Sequence, residues 1–168
     1  DGPPAGERKS TELRVNGFAS SVDGVIWLRK SLGLYEWRGS RDNNIPVDPQ
    51  GQWLYHILRD EREEDADRRY KALFGTRDRA PRVSRDGFVW TALDVPPIPS
   101  QDESHLIYDE TTEQFVALVK QPTEWGRSVW ISTSRDFEDW SKPELVFHSD
   151  EVDRDNRRRR IQEVIDDP

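Results

Sequence analysis

Among the ionisable side chains of this chain, the run SQDESHLIYDE places Asp102, Glu103 and His105 just ahead of an apolar strand-like segment. A carboxylate there can stabilise developing positive charge, and an imidazole can hydrogen-bond a hydroxyl. The same residues also suit a plainer role, Asp102 and Glu103 as an exposed turn and His105 as a strand surface. A second polar cluster, Asp42, Asn43 and Asn44 in GSRDNNI, offers hydrogen-bonding groups for a binding site or, more commonly, for an ordinary turn. His56, His105 and His148 lack metal-ligand spacing, so no metal and no cofactor is expected. Neither a glycine-rich phosphate loop nor a Gly-x-Ser-x-Gly elbow is present.

These residues need elements to position them, and the chain supplies a repeated one. SVDGVIW at Ser21, SRDGFVW at Ser84 and SRDFEDW at Ser134 share the pattern Ser-x-Asp-(Gly/Phe)-x-x-Trp. Asp can bond nearby backbone amides, Gly tolerates positive φ, and the Trp that follows can fold back and bury its ring. Asp23, Trp27, Asp86, Trp90, Asp136 and Trp140 are therefore read as architectural, the three tryptophans as equivalent core anchors. In the third copy Phe137 replaces glycine, so that turn must use another geometry or rely on Asp136 alone.

Short alternating runs surround each copy. His105 to Tyr108 and Phe115 to Lys120 predict a hairpin, followed by strands at Arg127 to Thr133 and Glu144 to Phe147. The same order precedes it: Trp53 to Leu58, Arg69 to Phe74, Pro81 to Ser84, and Ala92 to Val95. Around the first copy only Val15 to Ala19 and Leu34 to Trp37 read as strands. Repeats of roughly 50 residues with four strands each are what a β-propeller blade requires. The expected fold is all-β, a propeller-like array with an incomplete ring: a half blade over about 13–38, blades over about 52–96 and 103–148, and a charged tail over 150–168, all in one partial domain. Arg59 to Arg69, RDEREEDADRR, reads as a solvated connection with a possible helical turn, and RRRR with IQEVIDD as a short terminal helix.

Composition bounds the partners. The 168 residues carry 33% apolar and 35% charged side chains, yet seven Trp, six Phe and four Tyr supply large surfaces to bury, so the chain reads as folded. A net charge of −8 disfavours a nucleic-acid face despite Arg157 to Arg160. No run reaches the roughly 18 apolar residues of a membrane span. There is no cysteine and no methionine; the latter points to a chain that begins inside a longer or processed protein.

The three Ser-x-Asp segments resemble shortened Asp-box turns of sialidase-type propellers, one residue tighter than usual. The wider run, from SSVDGVIWLRKSLGLYEWRGSRDNNI through RRYKALF, SRDGFVWT and SQDESHLIYDETTEQFVALVK to STSRDFEDWSKPELVF, resembles the five-bladed propeller glycoside hydrolases of families 32, 43 and 68. The resemblance covers roughly residues 15 to 150. It implies action on a glycosidic bond in an oligo- or polysaccharide, a carbohydrate ligand and a secreted or periplasmic location. It also implies that Asp102, ahead of an innermost strand, stabilises the transition state, with Glu103, His105, Asp42, Asn43 and Asn44 binding substrate. A full ring needs upwards of about 250 residues, so the resemblance implies a fragment with at most one member of the catalytic set. The alternative is a non-catalytic propeller segment binding carbohydrate or a protein partner.

Overall fold

The structure, a computed structural model, describes residues 15–48 and 53–167. Residues 13, 14, 52 and 168, at the edges of the expected segments, lie outside the described ones. The chain divides into two compact units, Asp1–Trp53 and Leu54–Pro168.

The second unit holds two antiparallel sheets. Strands β1 (Leu54–Arg59), β2 (Tyr70–Phe74), β3 (Asp78–Ser84) and β4 (Thr91–Ala92) pair in chain order, and β5 (Ile98–Pro99) joins the far end of β3. Strands β6 (His105–Asp109), β7 (Gln114–Thr123), β8 (Gly126–Ser134) and β9 (Glu144–Phe147) form the second sheet, also in chain order. Both meanders follow the predicted runs. The alternation is read directly by packing: Tyr108 pairs with Phe115 and Leu106 with Ala117 in register, which puts these four on one face.

That face meets the first sheet. Leu73, Val83 and Ile98 join Leu106, Phe115, Ala117, Val119 and Phe137 in one buried cluster, with Leu58, Leu93, Tyr108, Trp130 and Trp140 packed around it. Strand β2 is buried on both faces, since Lys71 and Leu73 alternate with Ala72 and Phe74 and all four are buried.

Lys71 occupies a position where alternation asks for an apolar residue. Its ammonium donates to Glu63 Oε2 at 2.9 Å, to the Arg68 carbonyl at 3.1 Å, and pairs with Asp60 Oδ2 at 3.1 Å. A buried cation needs this degree of compensation. The charged connection between β1 and β2 is solvated over most of its length, with residues 61, 62 and 64–67 exposed, but it is anchored at a few charges. Asp60 is buried, Arg62 lies over the Tyr108 ring, and Arg68 Nη2 reaches Glu138 Oε1 at 2.7 Å, so the connection clamps one sheet to the other. A 3-10 turn, Ala66–Arg68, capped by Asp65, gives the segment its shape.

In the first unit, residues 15–48 contain no named strand, in contrast to the expected half blade; they carry isolated bridges at Ser20–Leu28 and Trp37–Ser40. The charged tail forms helix α1 (Glu151–Asp166), started by a reciprocal cap between Asp150 and Asp153 and without a buried residue. It is the one α-helix among the described residues and is neither long nor apolar enough to cross a membrane.

Candidate functional site

The Ser84 and Ser134 turns join β3 to β4 and β8 to β9 at one end of each sheet, and the Ser21 turn lies in the first unit. In all three, the serine hydroxyl donates to the aspartate Oδ1, at 2.9 Å for Ser21, 3.0 Å for Ser84 and 2.9 Å for Ser134. The same hydroxyl accepts the N–H three residues on, from Gly24 at 2.8 Å, Gly87 at 2.9 Å and Phe137 at 3.0 Å. Each aspartate Oδ1 then accepts two further amides: Val25 and Ile26, Phe88 and Val89, Glu138 and Asp139, all at 2.8 to 2.9 Å. Phe137 does not impose another geometry; it takes the glycine conformation, with φ of 68°.

These bonds set the aspartates' acidity. For Asp23 and Asp136 the largest influence is a backbone donor, Ile26 and Asp139 respectively, and both carboxyls lie below their ordinary value. For Asp86 burial pushes upward most, yet the Val89 and Phe88 amides and the Ser84 hydroxyl outweigh it together, and the net direction is again down. A carboxyl held anionic by local donors is a structural clip, not a proton donor.

The tryptophans diverge. Trp140 packs on the core, donates Nε1 to the Phe137 carbonyl at 3.2 Å and meets the Phe137 ring edge-on at 5.5 Å. Trp90 sets its ring against Phe74 at 5.4 Å, with Nε1 buried and unpartnered. Trp27 makes the equivalent bond to Gly24 at 3.1 Å but stays 61% exposed, so the three are not equivalent core anchors.

Because adjacent strands alternate in direction, the β2–β3 connection and the β7–β8 turn fall at the opposite end of the sheets from the β3–β4 and β8–β9 turns just described. At that opposite end the segment leading into β6 carries Asp102. There a cleft of about 630 Å³ is lined by Thr76 from the β2–β3 connection, by Asp78 at the start of β3, by Ser100, Gln101 and Asp102, and by Gln121 from β7. Arg77 also lines it. Two features shape its walls. Gly75 has φ of 119°, and a Cβ there would collide with the Asp78 carbonyl oxygen, so only glycine allows this turn. Asp102 itself holds φ of 77°, a left-handed conformation that Asp tolerates better than most residues.

Of the sequence candidates, Asp102 alone lines this cleft. Glu103 is exposed, with Lys120 Nζ at 4.0 Å. His105 lies on β6 beside β1, its ring edge-on to His56 at 5.3 Å; burial and then the charge of His105 hold His56 below its ordinary value. Asn43 and Asn44 are spent on backbone: Asn43 Nδ2 donates to the Tyr35 and Ser40 carbonyls at 2.9 and 3.0 Å, and Asn44 Nδ2 to the Phe18 carbonyl at 2.6 Å. Asp42 is exposed, its amide bonded to Ser40 Oγ at 3.0 Å. All three lie in the first unit and serve its loop. Trp125 stacks on His148 with Arg154 over its ring, and Trp130 packs on the core.

Sequence reasoning missed Asp78, Gln101 and Gln121, which reach the cleft only through the pairing of β3 with β5 and of β6 with β7. The one signal available was Gly75-Thr76 between two strand runs, a turn whose neighbours must project at a sheet end. Among the described residues no group of three or more His, Cys, Asp or Glu stands close enough to hold a metal ion. Compared with family models, with curated proteins and with solved structures, the chain matches none.

Proposed function

We propose that this chain is part of a carbohydrate-active propeller of glycoside-hydrolase type, and that the cleft at Asp102 receives a sugar. The observation that carries this reading is the lining itself: the Asp78 and Asp102 carboxylates, the Gln101 and Gln121 carboxamides, the Thr76 hydroxyl and the Arg77 guanidinium border one open cleft, with Ser100 Oγ accepting the Lys120 N–H and Gln121 Nε2 donating to the Pro99 carbonyl. Such groups match the alternating donors and acceptors of a polyol, and a carboxylate beside the anomeric carbon stabilises the oxocarbenium-like charge of glycoside cleavage. Asp102 takes that electrostatic role. Cleavage further requires a group that protonates the leaving oxygen and one that supplies a nucleophile or base; Asp78, the other carboxylate of the lining, can fill one of these roles and not both, so this chain by itself binds sugar without appreciable turnover.

The test is a glycan array followed by titration calorimetry, using the parent chain and Asp102→Asn, with circular dichroism to confirm folding. Binding of at least one oligosaccharide class, weakened tenfold or more by Asp102→Asn, supports the assignment. Equal binding by parent and variant removes Asp102 from the site, and a parent that binds no glycan overturns the reading. Extending the assay to turnover on aryl glycosides by the longest natural form separates catalysis from a binding-only module.

A further inference from the structure

Arg79 is the largest fully buried side chain among the described residues, with none of its surface exposed, and it bonds to residues beside or lining the cleft. Its Nη1 donates to the Gly75 carbonyl at 3.2 Å, in the β2–β3 connection, and to the Asp78 carbonyl at 3.1 Å, at the start of β3. Its Nε donates to Ser104 Oγ at 2.8 Å, two residues beyond Asp102. The guanidinium plane lies over the Tyr55 ring at 4.0 Å. Burial lowers its pKa, while Tyr55, Asp102 and Asp78 oppose that shift, which places both cleft carboxylates within its field. The rigid fork of an arginine suits this double anchoring; a lysine ammonium has one point of charge and no fork.

We infer that Arg79 is the positioning residue of the cleft: one buried guanidinium ties the Gly75–Asp78 lip to the Asp102–Ser104 lip and so sets where the Asp78 and Asp102 carboxylates stand. This rests on the reading of the cleft as the functional site, but the tie itself is measurable without any ligand. Beyond the β3–β5 ladder, which pairs Asp78 with Pro99 and Arg79 with Ile98, the backbone continues this junction through Ser100 N–H to the Arg77 carbonyl at 3.0 Å, and Gln101 N–H is held by the Lys120 carbonyl at 2.6 Å. Those two amides therefore report on the lips.

The experiment is amide hydrogen exchange at Ser100 and Gln101, together with carbon-13 titration of the Asp102 carboxyl, in the parent, Arg79→Lys, Arg79→Met and Ser104→Ala. In Arg79→Met the two amides should exchange at least tenfold faster while β7 and β8 keep their protection, and the Asp102 titration should move upward. Arg79→Lys should retain the Asp102 titration yet lose lip protection, because charge remains and the fork is gone. If Arg79→Met does not fold, Ser104→Ala decides: faster exchange at Ser100 and Gln101 supports the tie. Unchanged lips in every folded variant, or an unmoved Asp102 titration in a folded Arg79→Met, would overturn it. A parent that ignores all glycans would remove the sugar reading and leave this result intact.

Discussion

Phe137 holds φ of 68° at the turn position where Gly87, in the other sheet, holds 80°. A phenylalanine accepts that conformation because its ring is fully buried, edge-on to Phe115 at 5.2 Å and to Trp140 at 5.5 Å. Left-handed backbone costs an L-residue about 1–2 kcal/mol, whereas burying an aromatic ring of this kind is worth about 3–5 kcal/mol. Packing therefore outweighs strain, and one position serves the turn and the core together.

Two substitutions separate these contributions. Phe137→Ala removes the ring and keeps the strain, and should lower stability by about 3–5 kcal/mol. Phe137→Gly removes both and should lie about 1 kcal/mol above the alanine variant. Urea denaturation of the two would show whether glycine is the better replacement; an alanine variant as stable as the glycine variant would mean that the turn is unstrained.

The tryptophans of the repeated turns should respond unequally. Trp140→Ala opens the core beside Phe137 and should cost about 3–5 kcal/mol, while Trp27→Ala, at a ring 61% exposed, should cost less than about 1 kcal/mol. Equal losses in thermal or urea unfolding would restore the expectation of equivalent anchors.

The turn aspartates make stability depend on acid pH. The Asp139 and Glu138 amides hold the folded Asp136 carboxyl below its ordinary 3.8, so the unfolded chain binds the proton more readily. Its contribution is fully present above pH 3.8 and disappears as the pH falls through the lower folded value. Asp136→Asn keeps the shape and lacks the charge. The stability gap between parent and variant should therefore be constant near neutrality and close below pH 3.8, as followed by chemical denaturation across that range.

Lys71 is coupled to Asp60, both nearly inaccessible to water. Lys71→Met removes one of the two cations that hold the buried Asp60 carboxylate, Arg62 remaining at 2.6 Å, and should cost less than the about 3–5 kcal/mol of a buried charge left wholly unpaired. Adding Asp60→Asn should recover part of that loss. A double-mutant cycle with strictly additive effects would show that the pair is not coupled.

Sequence by itself determined the elements whose causes are local. The second meander was legible strand by strand because period-two alternation and turn residues act over a few positions, and β6 to β9 pair with their chain neighbours. The Ser-x-Asp turns were legible for the same reason: their bonds span two or three residues, as from Asp136 to Glu138 and Asp139. Helix α1 was legible in its charged C-terminal run. Tertiary structure alone decided which side chains share a space. Lys71 reads as a surface residue until β2 is enclosed on both faces, and Asp60 and Glu63 as two more solvated charges of the loop until Lys71 draws them inward. Asp78 joins Asp102, and Arg79 joins Ser104, only once β3, β5 and β6 meet at one end of the two sheets. Local hydrogen bonds are written in spacing, whereas burial and the company of charges depend on contacts between segments far apart in the chain, which spacing does not encode.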